Sequence, residues 1–204
     1  MTTLFVYVRI FALHVRGKEP IVELFFKGKK TLDVGCGQGD FLVKDKERFI
    51  GIDDNDELLA KARNRGAQAV KSDVKKLPFE DGGFAGAYCV NVIEHLAPAD
   101  ALRMLSEIAR VLAPGGVLLL GSEWPSRRIW DTFSHIRPYS PTAVRKLLSR
   151  EHQETFETMD AFSVEHVLYK GRFFKNSILR TLFWMPAVIL PWFRHDWLMV
   201  LKKN

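Results

Sequence analysis

Leu32-Asp33-Val34-Gly35-Cys36-Gly37-Gln38-Gly39-Asp40 runs from an apolar segment into three glycines at alternate positions. Glycine has no Cβ and takes positive φ at little cost, so such a turn brings the backbone close to a ligand. The spacing narrows the ligand. A dinucleotide loop follows G-x-G-x-x-G, which seats a pyrophosphate over a helix N-terminus. Here the pattern is Gly35-x-Gly37-x-Gly39, flanked by the acids Asp33 and Asp40. Two carboxylates beside the loop repel a pyrophosphate and suit a cationic ligand carrying an ammonium. Further on, Asp53 closes an apolar run. A carboxylate accepts through both oxygens and can grip two neighbouring hydroxyls at once. Two histidines are candidate bases for an acceptor that must lose a proton: first His135, in His135-x-Arg137-x-Tyr139, then His95, beside Glu94.

These residues need a frame that brings them to one end of a sheet. Short apolar runs at residues 31–34, 49–52, 67–70, 84–90 and 117–120 read as buried strands. Helical patterns at about 40–46, 56–65 and 98–112 separate them, the last opened by Pro98 and Asp100 and closed by Pro114-Gly115-Gly116. Asp56 is the expected cap of the second of these helices. Strands alternating with helices predict a parallel sheet covered on both faces. Ser140-Pro141-Thr142 opens another helix to about residue 149, residues 155–167 alternate weakly as a strand, and Trp197 to Leu201 forms a last one, which together predict an antiparallel edge. Before all of this, Leu4, Val8, Phe11, Ala12 and Val15 recur at helical spacing.

With these motifs in this order, the chain resembles the class I S-adenosylmethionine-dependent methyltransferases, in particular the small-molecule branch that methylates quinone precursors and other metabolites. The resemblance covers roughly residues 29–150 and returns at the final strand. Leu32 to Gly39 is similar to that family's first motif, and Gly51-Ile52-Asp53 to its second-strand end. Ser72-Asp73-Val74 with Leu77-Pro78-Phe79 is similar to the element that receives the adenine. Asn91-Val92-Ile93-Glu94-His95-Leu96 and Arg110 to Gly116 resemble its next two signatures. The resemblance implies a Rossmann-like, doubly wound α/β fold: a mostly parallel seven-stranded sheet, an antiparallel last strand and helices on both faces. It implies S-adenosylmethionine as cofactor, with Gly35, Cys36, Gly37 and Gly39 against its methionine part and Asp33 orienting the loop or the ammonium. Asp53 would hold the ribose, Asp73 and Val74 the adenine, and Asn91 would stand near the transferable methyl. Asp54 is a departure: the family usually has an apolar residue there, packed on adenine.

The domain organisation expected is one methyltransferase unit: a helical cap over residues 1–28, a cofactor-binding core over 29–169, an aromatic basic insertion over 170–196 and a last strand over 197–204. The charge supports this division. The chain carries 30 Lys+Arg and 24 Asp+Glu, net +6, and residues 170–204 hold seven basic and one acidic of these. That leaves 30 − 7 = 23 basic and 24 − 1 = 23 acidic residues in the rest. This balance argues against a chain-wide basic face for duplex nucleic acid and for one local surface in the cationic tail, which holds seven of the 24 aromatics. Residues 172–194 are expected to cover the substrate mouth or to touch an anionic membrane surface peripherally. Ile178 to Phe193 is too short and too interrupted by Arg180, Pro186 and Pro191 to cross a bilayer. The two cysteines, Cys36 and Cys89, suit reduced thiols in a cytoplasmic protein and supply no Cys-type zinc site; the residue pattern calls for no metal. The function expected is methyl transfer to a small-molecule acceptor, with an apolar or lipid-like one in view. The alternatives are methylation of tRNA or another RNA, and a non-catalytic protein that binds S-adenosylmethionine.

Overall fold

The structure, a computed structural model, describes residues 19–148, 159–171 and 194–204. β1 (Thr31–Val34) is an inner strand of a seven-stranded sheet, buried along its whole length. β2 (Phe49–Asp53) and β3 (Gln68–Lys71) extend the sheet on one side; β4 (Phe84–Val90) and β5 (Leu112–Glu123) extend it on the other, all in parallel. β6 (Phe162–Gly171) and β7 (Arg194–Lys203) complete it in the order β3-β2-β1-β4-β5-β7-β6. β7 runs antiparallel to both its neighbours. The doubly wound, mostly parallel sheet expected from the alternation of patterns is thus the observed one.

Alternation along the strands sends side chains to two cores. Leu32 and Val34 of β1, Leu118 and Leu120 of β5, and Met199 and Leu201 of β7 share one face with α3 (Pro98–Val111). Ala101, Met104, Leu105 and Ile108 supply that helix's buried stripe at helical spacing. Pro98 begins the helix, where no backbone donor is lost. Leu119 and Val200 point to the opposite face, with α1 (Glu19–Phe26) and α2 (Asp56–Asn64). Phe26 reaches the sheet over Gly86, where a Cβ would lie 2.6 Å from its ring. α4 (Pro141–Leu147) begins at Ser140, whose hydroxyl accepts the Ala143 N–H.

Several boundaries differ from those expected, for physical reasons. The stretch at 40–46 forms a single 3₁₀ turn, Leu42–Lys44, rather than a helix. Phe41 is held flat between Phe49 and Tyr88, at centroid distances of 4.6 and 4.4 Å, and the Phe49 N–H already bonds back to Asp45 O. The chain therefore enters β2 before a second turn can form. α2 is capped by Asn55, whose side chain accepts from Glu57 and Leu58 N–H, and not by Asp56, which pairs with Lys71. β6 spans Phe162–Gly171 where 155–167 was expected, and β7 takes in Arg194, His195 and Asp196, which the domain division placed in the insertion. The amphipathic pattern at 4–15 and the aromatic basic stretch 172–193 lie outside the described residues, so the lid and membrane expectations fall there too. No helix among the described residues is long and apolar enough to cross a membrane.

Candidate active site

The glycine loop leaves the carboxyl end of β1 and is tied at once to β2: Gly35 and Cys36 N–H both donate to Ile52 O at 2.9 Å. At Gly35 glycine is required twice over, by a φ of +74° and by Val92, whose Cγ2 would lie 2.4 Å from an added Cβ. Gly37 differs. Its φ is +52°, yet an added Cβ would meet no protein atom within 4 Å, so its exposed side opens toward space a ligand can use. Gly39 is buried against Ala62 of α2.

Asp53 faces this loop. Its Oδ2 accepts the Gly37 N–H at 2.8 Å and its Oδ1 the Asn55 N–H at 2.9 Å, which fixes the carboxylate and leaves each oxygen further acceptor capacity. Asp33 lies in β1, 3% exposed. Burial pushes its carboxyl up to about 8, and the Asp53 charge adds to the effect. Cys36, buried beside both acids, is pushed up to about 12 by burial first and then by those charges. Burial also raises Cys89, so both thiols are inert at neutral pH. Asp40, expected to add free negative charge beside the loop, is instead paired. Arg65 bonds to its Oδ1 at 2.6 Å and to Gln38 O at 2.8 Å, which compensates Asp40 and braces the loop from outside. In the unliganded chain the negative charge facing the loop is that of Asp53, since Asp33 keeps its proton up to about pH 8.

Beyond β3, Asp73 is exposed and its Oδ1 accepts the Lys75 N–H at 2.8 Å, ordering the loop that carries Val74. Val74 packs on the apolar core, and Asp54 is exposed. At the end of β4, Asn91 adopts φ +60°, alone among the described non-glycine residues in taking a positive φ. Asparagine tolerates this region better than most residues. The Asn91 N–H is anchored on Gly121 O at 3.0 Å.

Next to Asn91, at the ends of β4 and β5, the structure joins residues far apart in sequence. The His95 and His135 rings meet edge to face at 4.8 Å, and Glu94 belongs to the same cluster. Glu94 is 1% exposed and accepts the Ser122 hydroxyl at 2.9 Å. Burial holds its carboxyl above the usual range, against the pull of its hydrogen bonds and both histidines. Each histidine is oriented by a carbonyl: His95 Nδ1 lies 3.0 Å from Ser134 O, and His135 Nδ1 2.7 Å from Ile129 O. Ser122 was missed in sequence; its inward place in β5, after three leucines, was the available signal. Tyr139 is an anchor, its hydroxyl donating to Leu96 O at 2.9 Å while its own carbonyl accepts the Trp197 indole N–H. Trp124 packs on the core, whereas Trp130 and Phe133, 61% and 106% exposed, lie on the segment that leads to His135.

One end of the sheet thus presents an acid-backed glycine loop with a fixed carboxylate, suited to a ligand with a cationic group and paired hydroxyls, next to a cluster able to accept a proton. Residues 32–120 match the family described as a methyltransferase domain. A mouse protein named "Probable tRNA methyltransferase 9B" is 35% identical over 131 residues, covering 62% of this chain and 29% of that protein. A "Probable S-adenosylmethionine-dependent methyltransferase" of Mycolicibacterium smegmatis is 34% identical over 148 residues, covering 69% of this chain and 54% of its own. The chain spans between 21% and 32% of the length of the first curated relatives it matches. The crystal structure of a SAM dependent methyltransferase from Archaeoglobus fulgidus superposes with a TM-score of 0.67, at 21% identity, over 99% of this chain and 100% of that one, a likeness of fold.

Proposed function

We propose that the chain, whose residues 32–120 match the methyltransferase-domain family, is a class I S-adenosylmethionine-dependent methyltransferase that transfers the methyl group of S-adenosylmethionine to a small acceptor with an apolar or aromatic face. The observation that carries the reading is the Gly37 N–H bonded to Asp53 Oδ2 at 2.8 Å, with buried Asp33 behind the same loop. The bound cofactor supplies a methyl on a sulfonium, already activated toward a nucleophile. Asp53 would hold the ribose hydroxyls through its remaining acceptor capacity. Gly37 leaves room for the methionine part, and Asp33 would ionise as the cofactor binds and so provide negative charge near its ammonium. Asp73 and Val74 would border the adenine, with exposed Asp54 beside them in solvent.

The protein's main contribution is orientation, which is worth about 7 to 11 kcal/mol for a well-placed pair of reactants. His135, with His95 beside it, would take the acceptor's proton through Nε2, since each Nδ1 faces a carbonyl. Trp130, Phe133 and Ile136, all exposed, would offer the acceptor an apolar approach.

A second reading is an RNA acceptor. It is favoured by the printed name of the mouse relative, and the same exposed rings would stack on an unpaired base. The two readings are tested together. The full chain is incubated with S-adenosylmethionine and either a metabolite and lipid extract or total tRNA, and products heavier by about 14 Da are sought by mass spectrometry. A product in the extract alone supports the first reading, and a product in tRNA alone replaces it with the second. Phosphate contacts would also make RNA binding fall steeply with salt.

A further inference from the structure

We propose that Glu94, His95 and His135 form a binding site for a divalent transition-metal cation of the Zn²⁺ class, on the acceptor side of the crevice. One ligand-type atom from each of the three lies within 4.8 Å of the others. The hydrogen bonds around them say what these atoms are. A carbonyl oxygen cannot donate, so the nitrogen facing it must carry the proton. With His95 Nδ1 on Ser134 O and His135 Nδ1 on Ile129 O, each neutral ring offers an unprotonated Nε2. The third member is a buried carboxylate that accepts the Ser122 hydroxyl and, with several lone pairs on its two oxygens, keeps further acceptor capacity. Two imidazole lone pairs and a carboxylate oxygen are all acceptors, and a cation is the partner that satisfies them together.

The surroundings are those a metal needs. Metal-bound histidines typically donate their second nitrogen to a carbonyl or carboxylate, which fixes tautomer and ring orientation. Here both rings have that partner, and the carboxylate has its own in Ser122. The loop that carries His135 is pinned to the same place, since Ile136 and Arg137 N–H both donate to Glu94 O, at 2.9 and 3.2 Å. Two nitrogens and one oxygen suit borderline cations such as Zn²⁺ better than Mg²⁺ or Ca²⁺, which prefer all-oxygen shells. Bonds of about 2.0 to 2.2 Å place tetrahedral ligands roughly 3.4 Å apart, so the cluster has to tighten by side-chain adjustment. Three protein ligands leave a fourth position open, the arrangement of catalytic rather than structural zinc. An acceptor oxygen bound there would ionise more readily, and the histidines would then act through the cation instead of as free bases.

The test uses the untagged full chain, freed of metal by chelator and without S-adenosylmethionine, so its outcome is independent of the methyl-transfer reading. Co²⁺ serves as the spectroscopic probe and Zn²⁺ as its competitor. The expected result is one equivalent of Co²⁺ with visible absorption that Zn²⁺ displaces, and a rise in melting temperature on adding Zn²⁺. His95→Ala and His135→Ala should each weaken binding at least tenfold. Glu94→Gln keeps the size and the Ser122 partner, so it should stay folded and weaken binding as well. No absorption and no thermal shift in the parent chain would overturn the proposal. So would parent-like binding in the folded variants.

Discussion

Asp53 is bonded to the very loop it faces: its Oδ2 accepts the Gly37 N–H at 2.8 Å, so the carboxylate and the glycine turn are one rigid unit across the ends of β1 and β2. The proposed function concentrates cofactor recognition in that unit. Asp53→Ala should weaken S-adenosylmethionine binding by about 1.5 to 3 kcal/mol, roughly 10- to 150-fold. The circular dichroism spectrum should stay that of the parent, because the cap of α2 is Asn55. Titration of both proteins with cofactor checks this.

Gly35 and Gly37 should respond differently to the same substitution. Both have positive φ, which costs a residue with a side chain about 1 to 2 kcal/mol. At Gly35 the new methyl would also collide with Val92, whereas at Gly37 it meets no protein atom. Gly35→Ala should therefore lower the melting temperature well below that of Gly37→Ala. Gly37→Ala should fold and lose cofactor affinity instead.

Asp33 makes both stability and binding depend on pH. Its carboxyl is pushed up to about 8 in the folded chain, from an ordinary value of 3.8. The folded state then holds a proton that the unfolded state releases, so this contribution is present below about 4 and is lost as pH rises toward 8. Asp33→Asn should remove that slope and raise stability at pH 7 by an amount of the order of a few kcal/mol, read from urea unfolding at several pH values. A cationic ligand favours the ionised form. Cofactor binding should accordingly release a proton below pH 8 and tighten as pH rises, which calorimetry in buffers of different ionisation enthalpy would detect.

His135→Ala should lower turnover by about 10² to 10⁴ with little change in cofactor affinity. Single-turnover rates with the identified acceptor, set against the binding constant of the cofactor, separate the two effects. An unchanged rate would remove His135 from the chemistry.

The glycine loop and the carboxylate that faces it were legible in the sequence because their demands fall on residue types at fixed spacing. Gly35 and Gly37 meet backbone requirements, and Asp53 ends a strand whose burial is written in its apolar run. The parallel sheet was legible for the same reason. His95 and His135 were legible as candidate bases, but their meeting was not, because it depends on a loop folding back. His95 meets His135, and Glu94 meets Ser122, across stretches of chain whose path no local pattern dictates. The predicted helix at 40–46 failed through tertiary packing, since Phe41 between Phe49 and Tyr88 outweighs helical periodicity. Asp40 misled in the same way, for its partner Arg65 lies beyond the following helix.

The central claim is that the loop from Gly35 to Gly39, with Asp33 and Asp53, is an S-adenosylmethionine site. Calorimetric titration of the full chain with S-adenosylhomocysteine tests it most directly, because the product shares the adenosine and amino-acid parts and needs no acceptor. The account predicts saturable heat at one ligand per chain, greatly reduced in Asp53→Ala. A folded parent chain that gives no saturable heat would contradict it, as would an Asp53→Ala protein that binds equally well.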